Sequence, residues 1–305
     1  MQDTTAIITV TQGDWQYLNE WINYHHNLGV GLFLIAYNGP VEKYGDLPKY
    51  PFVKYYDYST HESDELFSYM NRGNGVGFSG WHGETTPEFE MRIMQQIENQ
   101  LLRELVYFFP KVKYCCVIDT DEFVSLKTGD TDITQFINKH DNGSFSYMPI
   151  RMAFYDDNNL IYNSTEDVVK RFTHYRWGNN PAPGFQKLII NVQNVFVKRG
   201  NLKLISPHTC SMRGYPAIHF SEAELKHFFT KTLEEWIMKF DPSFDKDYVL
   251  RFGHGIFKVF FEQNDITDEK LLAIPELLKK YNVNYDPLLD EDKNFVENYK
   301  RVHKL

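Results

Sequence analysis

Val112-Lys113-Tyr114-Cys115-Cys116-Val117-Ile118-Asp119-Thr120-Asp121-Glu122 is the stretch from which the fold reads outward. Val112 to Ile118 is a nearly unbroken apolar, β-prone run, the pattern of a central strand covered on both faces. It runs directly into carboxylates at i and i+2, which a strand turns to the same side of the chain. Upstream, Thr86-Pro87 is a helix start with Pro at the first helical position, and Pro110 ends that helix after Phe109. Further back, Ala6–Val10 reads as a first strand. Asp14 caps a helix carrying Trp15, Leu18, Ile22, His25 and Leu28 at helical spacing, and Gly29 closes it. Val30–Tyr37 and Phe52–Tyr56 read as the second and third strands. This order predicts an α/β fold: a Rossmann-type mixed sheet flanked by helices.

Between these elements lies a Gly-punctuated stretch from His61 to Thr86. It reads as a mobile flap and not as a P-loop, because no Gly-Lys-Ser/Thr follows. Downstream, the pattern gives a short helix (Ile133–Asn138) and strands over Phe145–Tyr155, Gln186–Lys198, Leu202–Ser206 and Ala217–Phe220. Ser221-Glu222-Ala223-Glu224 reads as a capping box opening a helix to Phe240. A charged helical tail follows, with breaks at Pro242, Pro275 and Pro287. The expected division is a catalytic domain over 1–220 and a helical C-terminal extension over 221–305, packed on the sheet.

Composition narrows the function classes. The 305 residues are 42% hydrophobic and 24% charged, which is a globular balance. A formal charge of −9 without a basic block argues against nucleic-acid binding. Three cysteines, two of them adjacent, give neither a disulfide framework nor a zinc pattern. No basic segment leads into an apolar one at the N-terminus, and no apolar run approaches the ~20 residues of a membrane span. The expectation is a cytoplasmic protein, or one held peripherally at a membrane.

Asp119 and Asp121 carry the chemistry. Open α/β sheets bind ligands at the carboxyl ends of their strands. Two carboxylates placed there repel each other unless a cation intervenes. Hard oxygen ligands suit Mg²⁺ or Mn²⁺, and such ions bridge to phosphates. A metal-bound diphosphate is a good leaving group, which suits sugar transfer from a nucleotide-sugar.

Three motifs give a family resemblance. Glu20-Trp21 with Tyr24-His25 and Gly29-Val30 resembles the E-W-x-x-Y-H-x-x-x-G-V signature of glycosyltransferase family 92 and related family-2-like enzymes. Val117-Ile118-Asp119-Thr120-Asp121-Glu122-Phe123-Val124 is similar to their hydrophobic-D-x-D-E-F motif, and His227 to Trp236 to their H-Y-x-x-K-S-x-E-E-F segment. Where the family has K-N-E and Y-D-N after its first two strands, this chain has Gln12-Gly13-Asp14 and Ala36-Tyr37-Asn38.

The resemblance implies a GT-A-like fold and inverting hexosyl or pentosyl transfer. The donor would be a nucleotide-sugar, with a UDP-sugar favoured, and the acceptor a hydroxyl of a glycan or glycoconjugate. It implies Mn²⁺ (or Mg²⁺) as cofactor. Asp121 would be a direct metal ligand, and Asp119 would act on the ribose or through metal-bound water. His208 is the third-ligand candidate, with a hydrogen-bonded loop histidine as its alternative. Thr11, Asn38 and Asp57 lie at the strand ends where the nucleotide is expected. Arg92 and Asn99 lie on the helix that contacts the donor in related enzymes, or are ordinary helix surface. Lys231, four residues after His227, would share a helix face with it and reach the diphosphate, or be a solvated lysine paired with Glu234 or Glu235. The general base is sought in Asp156 or Asp157, or in Glu222. The alternatives are an Asp-Asp-Asn-Asn turn and the capping box. Trp21 and His25 are assigned to core support, while Trp81 and Trp177 could stack on an acceptor sugar.

Two rival readings stand beside this one. A haloacid-dehalogenase-type phosphatase or phosphotransferase also uses Asp-x-Asp, but wants Thr or Val where Phe123 stands. A non-catalytic carbohydrate-binding protein would also be rich in aromatic residues.

Overall fold

The computed structural model describes residues 4–11, 15–37, 47–57, 87–141, 143, 145–176, 186–197, 204–206, 209–210, 222–241, 256–284 and 301. The chain divides into two compact units: Met1–Ala153 with Asn179–His227, and Phe154–Gly178 with Phe228–Leu305. The second unit thus takes its residues from two separate stretches, where the sequence suggested a single cut at 220.

The first unit is built on strands β1 (Thr4–Thr11), β2 (Val30–Tyr37), β3 (Val53–Asp57), β4 (Val112–Val117), β5 (Glu122–Leu126), β6 (Tyr147–Phe154), β7 (Gln186–Asn191) and β10 (Ala223–His227). They form one eight-stranded sheet in the order β3-β2-β1-β4-β7-β6-β10-β5. β3, β2, β1 and β4 run parallel, whereas β7 is antiparallel to both β4 and β6, and β10 to β5. This is the expected mixed α/β sheet. Its helices are α1 (Trp15–Asn27), α2 (Pro87–Phe108) and α3 (Ile133–His140). A two-stranded ribbon, β8 (Leu204–Ser206) with β9 (Thr209–Cys210), completes the described strands.

β4 lies between β1 and β7, and its residues from Tyr114 to Val117 are buried, as its apolar run requires. One core packs Ile97, Leu101, Leu102 and Leu105 of α2 against Ala6, Ile8, Leu34, Cys115 and Val117 of the sheet. Truncating one such leucine to alanine costs about 2–5 kcal/mol. Gly29 closes α1 at φ +90°, a conformation only glycine takes cheaply. A Cβ there would also stand 2.7 Å from the Asp132 carboxylate that caps α3.

The second unit holds α4 (Val168–Arg171), α5 (Leu233–Met238), α6 (Ile256–Gln263) and α7 (Asp268–Lys280). Trp236, Phe240, Phe257, Phe260, Ile274 and Leu277 pack into its core. A bidentate, buried Arg171–Glu235 ion pair accompanies this core, at 2.8 and 3.0 Å.

Four sequence expectations change. The helix expected from Ser221 is instead strand β10 followed by the short helix α5. Ala223 and Leu225 are buried while Glu224 and Lys226 are only partly so, the period-2 pattern of a strand pairing with β5. The true capping box lies at Thr232 and Glu235, opening α5. β5 itself was not anticipated. The strand expected over Gln186–Lys198 stops at Asn191 and passes into one π-helical turn, Gln193–Val197. Pro275 does not break the tail, because α7 runs through it with Ala273, Ile274, Leu277 and Leu278 buried on one side. Burial of that stripe outweighs one missing backbone hydrogen bond. The flap over 61–86, the strand expected over Ala217–Phe220, and the breaks at Pro242 and Pro287 lie outside the described residues. Among the described residues, no helix is long and apolar enough to cross a membrane.

Candidate active site

The parallel strands end together at one edge of the first unit's sheet. In register across them stand Thr11, Tyr37 and Asp57, and β4 passes into Asp119-Thr120-Asp121 at the same edge. Thr11 Oγ1 lies 3.4 Å from Thr120 Oγ1, so the end of β1 touches the acidic motif directly. β7 begins here, because it runs the opposite way. Leu188 pairs with Val117, and that brings the preceding Lys187 to the motif.

The two aspartates have different neighbours. Asp119 Oδ2 takes the Lys187 ammonium at 2.8 Å, and the Asp119 backbone N–H donates to Glu122 Oε2 at 2.7 Å. Lys187 Nζ also lies 3.6 Å from Glu122 Oε2. Asp121 instead faces His227 at the end of β10, with Oδ1 3.5 Å from the ring Nε2. Asp119 keeps a third of its side chain exposed, whereas Lys187, Glu122 and Glu98 are buried.

The charges of this group are unbalanced. Burial, only partly offset by Lys187, pushes the carboxyl of Glu98 up to about 8 and that of Glu122 up to about 7. Burial works against a charge on Lys187, but Asp119, Glu122 and Glu98 together raise its pKa. Burial likewise works against a charge on His227, but Asp121, with Glu122 and Asp119, outweighs it, so the ring's pKa is raised. Among the described residues, one oxygen of Glu122 and one of Glu98 are buried without a hydrogen-bond partner.

The helix motif Trp21, Tyr24, His25 explains how the strand after the acidic pair is held. β5 is the edge strand of the sheet, so one side of its backbone needs partners. Trp21 Nε1–H donates to Glu122 O at 2.8 Å, and the Tyr24 hydroxyl to Val124 O at 2.9 Å. Val124 N–H donates to His25 Nε2 at 3.2 Å. Because Nε2 accepts, Nδ1 carries the proton and donates to Trp21 O at 2.9 Å. Burial holds this ring neutral, with its pKa pushed down to about 3. Core support is thus the role of these side chains, delivered through backbone hydrogen bonds.

The other expected site residues have surroundings of their own. Glu222 stands at the far end of β10, five residues from His227, or roughly 16 Å along a strand. That distance removes it from the acidic pair. Asn99 donates to Gln95 O of its own helix. In the second unit, Asp156 closes a turn by accepting from Asn158 N–H at 2.8 Å. Asp157 is enclosed, 2.6 Å from the buried ammonium of Lys270. Asn158 and Asn159 take the positive φ of the Asp-Asp-Asn-Asn turn. His227 and Lys231 share no helix face: His227 ends a strand, and Lys231 precedes α5 with a left-handed backbone at φ +56°. Lys231 is 1% exposed, which excludes the solvated-helix reading. Asn38, His208, Trp81 and Trp177 lie outside the described residues, as does the side chain of Arg92.

The pattern of glycosyltransferase family 92 matches residues 78–252, more than half of the chain and all of the acidic site. The chain belongs to glycosyltransferase family 92. It is a glycosyltransferase. Among solved structures, it is similar to the crystal structure of a glycosyltransferase involved in the glycosylation of the major capsid of PBCV-1. Identity is 13%, coverage is 76% of this chain and 96% of that one, and the TM-score is 0.28, too loose a likeness to carry residue roles. No curated protein matches.

Three residues of this family 92 site escaped the sequence reading: Lys187, Glu98 and, as the partner of Asp121, His227. A signal existed for two of them. Lys187 is the second residue of a strand and leads into the apolar run Leu188-Ile189-Ile190, and a lysine buried on a sheet must be paired. Glu98 occupies the apolar stripe of α2 with Ile97, Leu101, Leu102 and Leu105. His227 had no such physical cue: it heads the third family motif, but a helical reading of its segment pointed it elsewhere.

Proposed function

We propose that this enzyme transfers a sugar from a UDP-sugar to an acceptor hydroxyl with inversion, using a divalent cation held at the Asp121 end of the acidic motif. One observation carries the reading: two carboxylates two residues apart are treated differently, Asp119 tied to an ammonium and Asp121 set against an imidazole.

No group of three or more His, Cys, Asp or Glu side chains able to hold a metal exists among the described residues. The donor set nevertheless fits Mg²⁺ or Mn²⁺. Such ions take one or two protein ligands and complete their shell from phosphate oxygens and water. Adjacent ligands of an octahedral ion stand about 3 Å apart, given bonds of about 2.1 Å. Asp121 Oδ1 and His227 Nε2, 3.5 Å apart, are close to that spacing. When bound, the ion would neutralise charge on the departing diphosphate.

The chain's own residues supply the rest. Asp121 and His227 would hold the ion. Asp119, fixed by Lys187 and by Glu122, offers its exposed side as a hydrogen-bond acceptor for a donor hydroxyl. Thr11 and Thr120 border the same edge. Attack on the anomeric carbon in line with the diphosphate inverts that carbon.

Thermal unfolding with Mn²⁺, UDP, both or neither tests the reading. Both together should raise the midpoint by more than the two separate shifts combined, because each ligand completes the other's site. A midpoint indifferent to Mn²⁺ with UDP present would refute it.

A further inference from the structure

Lys187 is a charge fully enclosed in the sheet, on a strand that pairs with the central strand, and it faces more acid than it can neutralise. Asp119 Oδ2 stands 2.8 Å from its ammonium and Glu122 Oε2 3.6 Å, while Glu98 on α2 adds its field. Burying a lysine is costly unless its ammonium is paired, so a position that merely needed filling would hold an apolar residue. Its pairing is also selective. Asp119 is pinned twice, at the side chain by Lys187 and at the backbone N–H by Glu122. Asp121, two residues on, faces His227 instead. A divalent cation drawn to Asp119 would meet the fixed positive charge of Lys187, and the two would repel.

We propose that Lys187 is a positioning residue that divides the work of the two aspartates. It holds Asp119 as a fixed acceptor for a hydroxyl of the donor nucleotide, and it turns the cation toward Asp121 and His227. This inference rests on the metal and nucleotide reading above and deepens it.

The experiment uses the full chain with Mn²⁺ and UDP as probes. Binding of each is measured for wild type, Asp119→Asn, Lys187→Met, the double variant and Asp121→Ala, with circular dichroism as the folding control. Lys187→Met and Asp119→Asn should each weaken UDP binding at saturating Mn²⁺ by about tenfold, the scale of one charged hydrogen bond. The double variant should be no worse than either single one, since both break the same link. Lys187→Met should also bind Mn²⁺ more tightly without UDP, because Asp119 is released to it, whereas Asp121→Ala should lose Mn²⁺. If Lys187→Met does not fold, Glu98→Gln with Lys187→Met removes one acid along with the ammonium and takes its place in the same cycle.

Losses that multiply to about a hundredfold in the double variant would overturn the proposal. So would unchanged Mn²⁺ binding in Lys187→Met. A wild type that binds neither probe would instead refute the metal and nucleotide reading, and this inference with it.

Discussion

His25→Leu separates two effects of one buried ring. At pH 7 the neutral imidazole accepts from Val124 N–H on the edge strand β5. Leucine fills similar space but leaves that N–H buried without a partner, at a cost of about 1–3 kcal/mol. Acid changes the comparison. An unfolded histidine takes up a proton below its ordinary value of 6.5, whereas the folded ring, pushed down to about 3, does not. Between those two values the unfolded chain binds more protons, so wild-type stability falls as the pH is lowered through that window. The slope is about 1.4 kcal/mol per pH unit, which gives a loss of roughly 2 kcal/mol at pH 5. The leucine variant has no such term at this site. Its deficit at pH 7 should therefore shrink by about 2 kcal/mol at pH 5, and the two proteins should come close to equal stability. Urea unfolding of both at pH 7, 6 and 5, followed by intrinsic fluorescence, measures this directly. A gap that stays constant with pH would show that the folded ring titrates normally. Equal stability at pH 7 would show that the Val124 bond contributes nothing.

Asp121→Ala should lower transfer activity roughly 10²–10³-fold while changing the unfolding free energy from urea titration by less than about 1 kcal/mol, since it removes a site ligand and little packing. Glu98→Gln should match wild-type stability near pH 4 and exceed it increasingly toward pH 8. Burial raises the folded carboxyl to about 8 among Lys187, Asp119 and Glu122, so wild type loses stability as pH rises from 4.5 to about 8, and glutamine does not; urea midpoints across that range decide it. Pro275→Ala should stabilise the second unit by about 1–3 kcal/mol in thermal or urea unfolding, because it restores an N–H inside α7 where proline is strongly disfavoured.

Much of this was legible in the chain. The Val112–Ile118 run placed the central strand, and its terminal carboxylates marked the candidate site's edge, because burial on both faces and period-2 geometry are local properties of a strand. Gly29, Pro87 and the boundaries of α1, β2 and α2 followed from local backbone preferences in the same way. Local cues failed where two stretches competed on equal terms. Ser221-Glu222-Ala223-Glu224 satisfies a capping box, yet pairing with β5 wins. Pro275 satisfies a helix stop, yet the buried stripe of α7 carries the helix through it.

The sequence alone determined the parallel strands of the sheet, its acidic rim and the resemblance to a glycosyltransferase family. The family resemblance gave Asp119 and Asp121 different expected roles, and only the tertiary structure supplied their different partners. Their difference comes from Lys187, 68 residues beyond Asp119, and His227, 106 beyond Asp121. Electrostatic partners are set by distance in space, and chain spacing carries no record of that distance.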